Sequence, residues 1–294
     1  MMAAWLGIIM AEKRFDRNHT ITPYQEINEI LYSFVDGVLK ILTENLCGIY
    51  LTGSLSYGDF NENSSDIDLT VILRKAASPN ELDQIRKFHI QLENQFKKWA
   101  NRLECTYTPI EMLKYILPPL EPRPWYCGFE NYLYEKAPYG NEWIINNYLL
   151  YQSAIPLIGL DFKELMAPID IVEVQKACIR DLFVEWEPKI LHPSYLSDSH
   201  NQSYLILNLC RILYTVLHGS TGSKKISAGW VKQEFGLRWK FLIEMAENWE
   251  YGKEMDEHNI TVEFINFSIQ EISRTVLFEK LRGEIEKLRN RTDL

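Results

Sequence analysis

Residues 53–73 read GSLSYGDFNENSSDIDLTVIL, and the alternation along Asp66 to Leu73, broken only at Ile72, suits a β-strand with one polar and one apolar face. Asp66, Asp68 and Thr70 then project to one side, while Ile67, Leu69, Val71 and Leu73 point into a core. Two carboxylates are thereby held side by side on a rigid element. Left alone they repel, and one tends to keep a proton; a divalent cation removes the conflict. Hard oxygen ligands suit magnesium, which keeps several waters and completes its shell from substrate phosphates. Two such ions, about 3.5–4 Å apart, stabilise both the attacking and the leaving oxygen of an in-line displacement.

The elements around this strand supply the rest of a site. Thr22-Pro23-Tyr24-Gln25 has the signature of a helix start, with Thr22 as cap and Pro23 at the first helical position. Ile27, Ile30, Leu31, Phe34, Val35, Val38 and Leu42 then recur at helical spacing. A short β-rich run, Gly48 to Thr52, is closed by Gly53-Ser54, and a polar loop leads to the strand Asp66 to Leu73. Glu81 to Trp99 reads as a helix and Leu103 to Thr108 as a third strand. Leu103, Cys105 and Tyr107 take its core face, which leaves Glu104 on the other as a third carboxylate. Glu104 is expected either to ligate the second metal or to accept the proton of an attacking hydroxyl. Gly53 permits close backbone approach, and the Ser54 hydroxyl with nearby N–H groups suits a triphosphate.

Two other motifs are excluded on spacing. The loop starting at Asp59 resembles a calcium loop, but its sixth and twelfth positions are Ser64 and Thr70 instead of Gly and Glu. Neither a Walker A sequence nor G-x-G-x-x-G is present, so phosphate handling falls to the Gly53-Ser54 turn and the metals.

The Pro-rich stretch Pro118 to Pro124 is expected to be irregular. From about Asp170 helical patterns dominate, at Ile171 to Trp186, Gln202 to His218, Ile226 to Phe235 and Val262 to Leu288. The fold class expected is α+β: a mixed sheet flanked by helices over 1–165, then an all-helical domain over 166–294. The 294 residues and 46% hydrophobic content allow sizeable cores. A net charge of -9 argues against nucleic acid as a partner and suits cationic small molecules. Five cysteines without a C-x-x-C pair, and six histidines off finger spacing, predict reduced thiols and no zinc. The apolar start MMAAWLGIIM lacks a basic region before it, so the chain is expected to be cytoplasmic without a signal peptide or membrane span.

Gly53, Ser54, Asp66, Asp68 and Glu104 match, residue by residue, the signature of the polymerase-β nucleotidyltransferase superfamily. The stretch YLILNLCRILYTVLHGSTGSKKISAGW (204–230) further resembles the helical domain of the bacterial aminoglycoside adenylyltransferases acting on streptomycin at the 3''-hydroxyl and spectinomycin at the 9-hydroxyl. The resemblance implies ATP as co-substrate, two Mg2+ ions held by Asp66, Asp68 and Glu104, and Glu104 as catalytic base or ligand. It also implies that Arg211 and a lysine, Lys224 rather than Lys225, reach the ATP phosphates from the helical domain. On the acceptor it implies an aromatic residue after the third strand, Tyr132 before Phe129 or Trp125, together with Asp198; Glu185 and Glu187 are further acids able to meet drug cations.

Members that accept streptomycin carry a Trp ahead of the arginine helix, and LHPSYLSDSHNQSY (191–204) has none, so spectinomycin is favoured. The expected partners are ATP and a small aminoglycoside or aminocyclitol, with no membrane and the monomer favoured. Two rivals remain: a nucleotidyltransferase with a protein or tRNA acceptor, as in toxin–antitoxin modules, and a catalytically silent nucleotide-binding protein.

Overall fold

The computed structural model describes residues 20–118 and 123–292. The apolar N-terminal stretch and Pro119 to Pro122 lie outside the described residues. The chain separates into two compact units: one takes most of the chain up to Pro168, and the other runs from Ile169, with Glu62–Ser64 and Asn141–Ile145 counted in the second.

The first unit is built on a six-stranded sheet in the order β5-β4-β3-β2-β1-β6. Its strands are β1 (Leu46–Thr52), β2 (Ile67–Leu73), β3 (Leu103–Pro109), β4 (Arg123–Cys127), β5 (Tyr132–Ala137) and β6 (Ile155–Ile158). Only β2 and β3 pair in parallel among the described strands; every other neighbour is antiparallel. A parallel pair needs a crossover, and helices α3 (Pro79–Gln95) and α4 (Lys97–Ala100) supply it.

One face of the sheet meets α1 (Gln25–Leu42) and α3. Ile27, Ile30, Leu31, Phe34, Val35, Val38 and Leu42 are fully buried on α1 and pack in one cluster with Leu51, Leu69, Cys105, Tyr126 and Leu133 of the sheet and Ile85 of α3. Each such side chain contributes about 1.5–3 kcal/mol. The expected core faces of β2 and β3 are as read from alternation: Leu69, Val71, Leu103, Cys105 and Tyr107 are all buried.

Several boundaries differ from the sequence reading. Thr22 does not cap α1; its N–H and hydroxyl donate to Asn28 Oδ1, each at 2.9 Å, and the helix starts two residues later with no side-chain cap. Asp66 precedes β2 instead of opening it. The helix read over Glu81 to Trp99 breaks at Phe96 into α3 and α4, and begins earlier, where Ser78 and Glu81 form a capping box. The Pro-rich stretch is not wholly irregular, because Arg123 and Pro124 open β4.

The second unit is helical. Helix α5 (Asn141–Ser153) has only Asn141–Ile145 in this unit, whose own helices are α6 (Ile171–Asp181), the single turn α7 (Pro193–Leu196), α8 (Ser199–Leu213), α9 (Lys224–Glu234), α10 (Leu237–Glu247), α11 (His258–Ser273) and α12 (Val276–Thr292). Both α6 and α8 end in a wider π turn, at Leu182–Trp186 and Tyr214–His218. The single helix expected from Val262 to Leu288 is two, and α10 was not anticipated. Among the described residues no helix is long and apolar enough to cross a membrane.

Candidate active site

Sheet register assembles the front of the site. Asp68 stands directly opposite Glu104 across the parallel β2–β3 pair. The same rung continues with Thr52 opposite Asp68, Cys127 opposite Glu104 and Tyr132 opposite Cys127. Residues opposite one another share a face, and strands lie about 4.8 Å apart, so Glu104 has Asp68 about 5 Å to one side and Tyr132 about 10 Å to the other. The next rung on this face carries Tyr50, Thr70, Thr106, Trp125 and Tyr134. A contact of 3.3 Å between the Thr106 and Thr70 hydroxyls shows that the polar side chains of β2 and β3 do meet on one side.

The turn after β1 closes on this rung. Gly53 has φ +63, and a Cβ there would fall 1.8 Å from Asp68 Oδ2, so the Asp68 carboxylate lies against bare backbone. Helix α2 (Gly53–Tyr57) follows, and the Ser54 carbonyl accepts the N–H groups of Gly58 and Asp59 at 3.1 Å each, which fixes the turn. Asp66, at the mouth of β2, has its Oδ1 3.9 Å from Nε of Arg102, a residue that the sequence reading had passed over.

Among the described residues no group of three or more His, Cys, Asp or Glu converges to hold an ion unaided. The donors present are hard carboxylate oxygens, two of them side by side on one rung. They fit magnesium, which takes one or two carboxylates and draws its remaining ligands from phosphate and water.

Aromatic rings border the rung. Tyr132 is exposed and meets Tyr134 edge-on at 4.7 Å, while Trp125 stacks on Tyr134 at 5.4 Å. Phe129, the other candidate, lies in the turn between β4 and β5 and is 80% exposed. Of the three aromatic candidates, Tyr132 is on the rung of Glu104 and Trp125 on the next.

In the helical unit, Arg211 on α8 is half-buried and forms no ion pair among the described residues. Tyr204 lies about two turns earlier on the same helix face, and Lys224 Nζ sits 4.8 Å from the centroid of its ring. Lys225 is exposed, and Lys224 is the one of the two seen against the Tyr204 ring. Near Arg211 is Asp181, which the sequence reading missed. Burial pushes its carboxyl up to about 7, against the Trp186 Nε1–H bond at 2.6 Å and the charge of Arg211.

The acids proposed to meet drug cations all have structural duties. Asp198 caps α8, accepting the Asn201 N–H at 2.8 Å. Glu185 pairs with Lys189 at 2.8 Å, and Glu187 with Arg289.

Residues 35–115 match the family model described as nucleotidyltransferase domain, and residues 164–274 that described as aminoglycoside adenylyltransferase, C-terminal domain. The chain resembles the aminoglycoside adenylyltransferases. That pair of domains makes it an enzyme of nucleotidyl transfer. A spectinomycin 9-adenylyltransferase of Campylobacter jejuni is 24% identical over 271 residues, covering 85% of this chain and 97% of that one. The crystal structure of a spectinomycin adenyltransferase from Enterococcus faecialis, with ATP and spectinomycin, superposes with a TM-score of 0.65 at 18% identity. The match covers 84% of this chain and 99% of that one, and shows a shared fold.

Proposed function

We propose that this enzyme transfers AMP from ATP to a hydroxyl of an aminocyclitol or aminoglycoside, spectinomycin before streptomycin, with release of pyrophosphate. The observation that carries the reading is the rung on which Asp68 and Glu104 stand opposite each other, beside a turn that only glycine fits. The acceptor is supported by the spectinomycin enzyme of C. jejuni, which is alike over nearly its whole length.

Asp66 and Asp68 would hold magnesium, with Glu104 available to a second ion, and the metal would supply charge stabilisation to the phosphoryl transfer. Glu104 takes the proton of the acceptor hydroxyl, whose oxygen attacks the α-phosphorus. Gly53 lets the nucleotide approach the backbone, and Ser54 orients its phosphates. Arg211 and Lys224 offset the charge that accumulates on the leaving pyrophosphate. Tyr132 offers an aromatic face to the acceptor, about two strands from the base. Asp198 has lone pairs left after capping α8 with which to accept from a drug ammonium. The proposal includes the cytoplasm, where ATP is at hand, as the compartment and a monomer as the working form.

The test is incubation with ATP, magnesium and a panel containing spectinomycin and streptomycin, read by mass spectrometry. A drug heavier by one AMP, with stoichiometric pyrophosphate and no product from Asp68→Asn, is the expected result. Absence of AMP transfer to every drug from the folded protein would remove the acceptor assignment, and labelling of protein or tRNA instead would replace it.

A further inference from the structure

Arg102 is a cation almost withdrawn from water, its side chain 10% exposed, at the edge of the proposed metal site. It immediately precedes β3, as Asp66 immediately precedes β2, and the parallel ladder aligns the two: Ile67 N–H donates to the Arg102 carbonyl at 2.8 Å, and Ile67 pairs with Leu103. A buried cation is costly unless its surroundings compensate. Here one Nη donates to the Ser65 carbonyl, the guanidinium lies 4.9 Å from the centroid of the Trp99 ring, and Nε stands 3.9 Å from Asp66 Oδ1. Trp99 is itself fixed, 3% exposed, with its Nε1–H donating to Glu26 at 2.8 Å. A chain of contacts thus runs from α1 through α4 to the mouth of the metal strand.

Nothing in the chemistry of nucleotidyl transfer accounts for this arginine. A separation of 3.9 Å is a contact between charges rather than a hydrogen bond, so it orients Asp66 without consuming a carboxylate lone pair. Asp66 and Asp68 repel each other until a cation sits between them. We propose that Arg102 is a positioning residue for Asp66, a built-in counter-ion that holds the carboxylate in place in the metal-free enzyme and competes with the incoming metal ion for it. The proposal rests on the reading of Asp66 as a magnesium ligand. Without the guanidinium, Asp66 gains attraction for the ion and loses its orientation, so affinity and turnover move in opposite directions. A role in folding alone would move neither in that pattern.

The experiment measures Mn2+ binding to the nucleotide-free protein by electron paramagnetic resonance, alongside AMP-transfer kinetics and thermal melting, for wild type, Arg102→Met, Arg102→Lys and Asp66→Asn. Arg102→Met is expected to bind Mn2+ at least about threefold tighter by removal of a nearby like charge. Its kcat is expected to fall about tenfold with KM for ATP little changed, and Arg102→Lys to recover part of kcat by restoring charge without the planar fork. Should Arg102→Met not fold, Arg102→Lys carries the test, with shifts smaller but of the same sign. Mn2+ binding that requires Asp66 and is unchanged or weakened in the folded Arg102 variants overturns this proposal alone. Mn2+ binding indifferent to Asp66→Asn overturns the metal reading and this proposal with it.

Discussion

The backbone of Gly53 and the carboxylate of Asp68 share a space that leaves no room for a methyl group: a Cβ at 53 would lie 1.8 Å from Asp68 Oδ2. At φ +63 an alanine there also costs about 1–2 kcal/mol in backbone strain. Gly53→Ala is therefore expected to fold, as read by circular dichroism, with a modestly lower Tm. AMP transfer should fall about 100-fold, the penalty of moving a reactive group by an ångström.

Asp68→Asn and Glu104→Gln separate two roles on one rung. Each should lower kcat by about 10²–10⁴-fold, the range for loss of a positioned acid, base or ligand. Only Asp68→Asn should also weaken Mn2+ binding to the nucleotide-free protein. If Glu104→Gln weakens it equally, Glu104 is a resident ligand and another group takes the hydroxyl proton.

Arg211 is half-buried with no ion pair among the described residues, so its removal leaves no carboxylate stranded by the loss of a salt bridge. Arg211→Ala should raise KM for ATP by about 10–100-fold, the equivalent of a charge-assisted hydrogen bond worth about 1.5–3 kcal/mol, while KM for the drug changes little. A selective change in the drug KM would move Arg211 to the acceptor side.

Tyr132 is exposed and on the rung of Glu104, so it contributes little to the core. Tyr132→Ala should keep Tm within a degree or two and raise the acceptor KM by about 2–30-fold, as expected for an aromatic face beside a cationic ligand. Steady-state kinetics with varied drug at saturating ATP checks it.

Asp181 makes stability depend on pH in the less common direction. Its ordinary value is 3.8, and burial, the largest influence, raises it to about 7 in the folded protein. Between those values the unfolded chain has released the proton and the folded one has kept it. This group's contribution therefore falls as pH rises from about 4 to about 7 and is constant above. Asp181→Asn keeps an acceptor for Trp186 Nε1–H and has no charge to bury. The variant should be more stable than wild type at pH 8, by on the order of a few kcal/mol in denaturant unfolding, and close to it at pH 4.

Alternation around Asp66 and Asp68 made β2 and its core face legible in the sequence, because a two-residue period leaves little choice of face, while the register that sets Asp68 opposite Glu104 came only with the fold. The same reasoning placed Glu104. What escaped the sequence had weaker or competing signals. Strand β4 begins in a Pro-rich stretch, and β6 is four residues long with Pro156 inside it. The break between α11 and α12 contains neither Gly nor Pro; Thr275 makes it, by accepting the Phe278 N–H at 3.1 Å and donating to the Ile272 carbonyl at 2.8 Å. Thr22 was misread as a helix cap because its hydroxyl had a better partner in Asn28, six residues on. Arg102 had no local signal at all, since only the β2–β3 register brings it beside Asp66.

That parallel seam also decides which length changes the gene can tolerate. The crossover opens on the exposed residues 78–80 at the start of α3, and an insertion there moves only surface. One codon added or lost between Arg102 and Glu104 is different in kind. It rotates β3 by half a period, turns the carboxylate toward the core and presents Leu103 or the Cys105 thiol to the substrate. Divergence by insertion is therefore channelled away from those few codons, and a lineage that keeps the activity keeps their spacing.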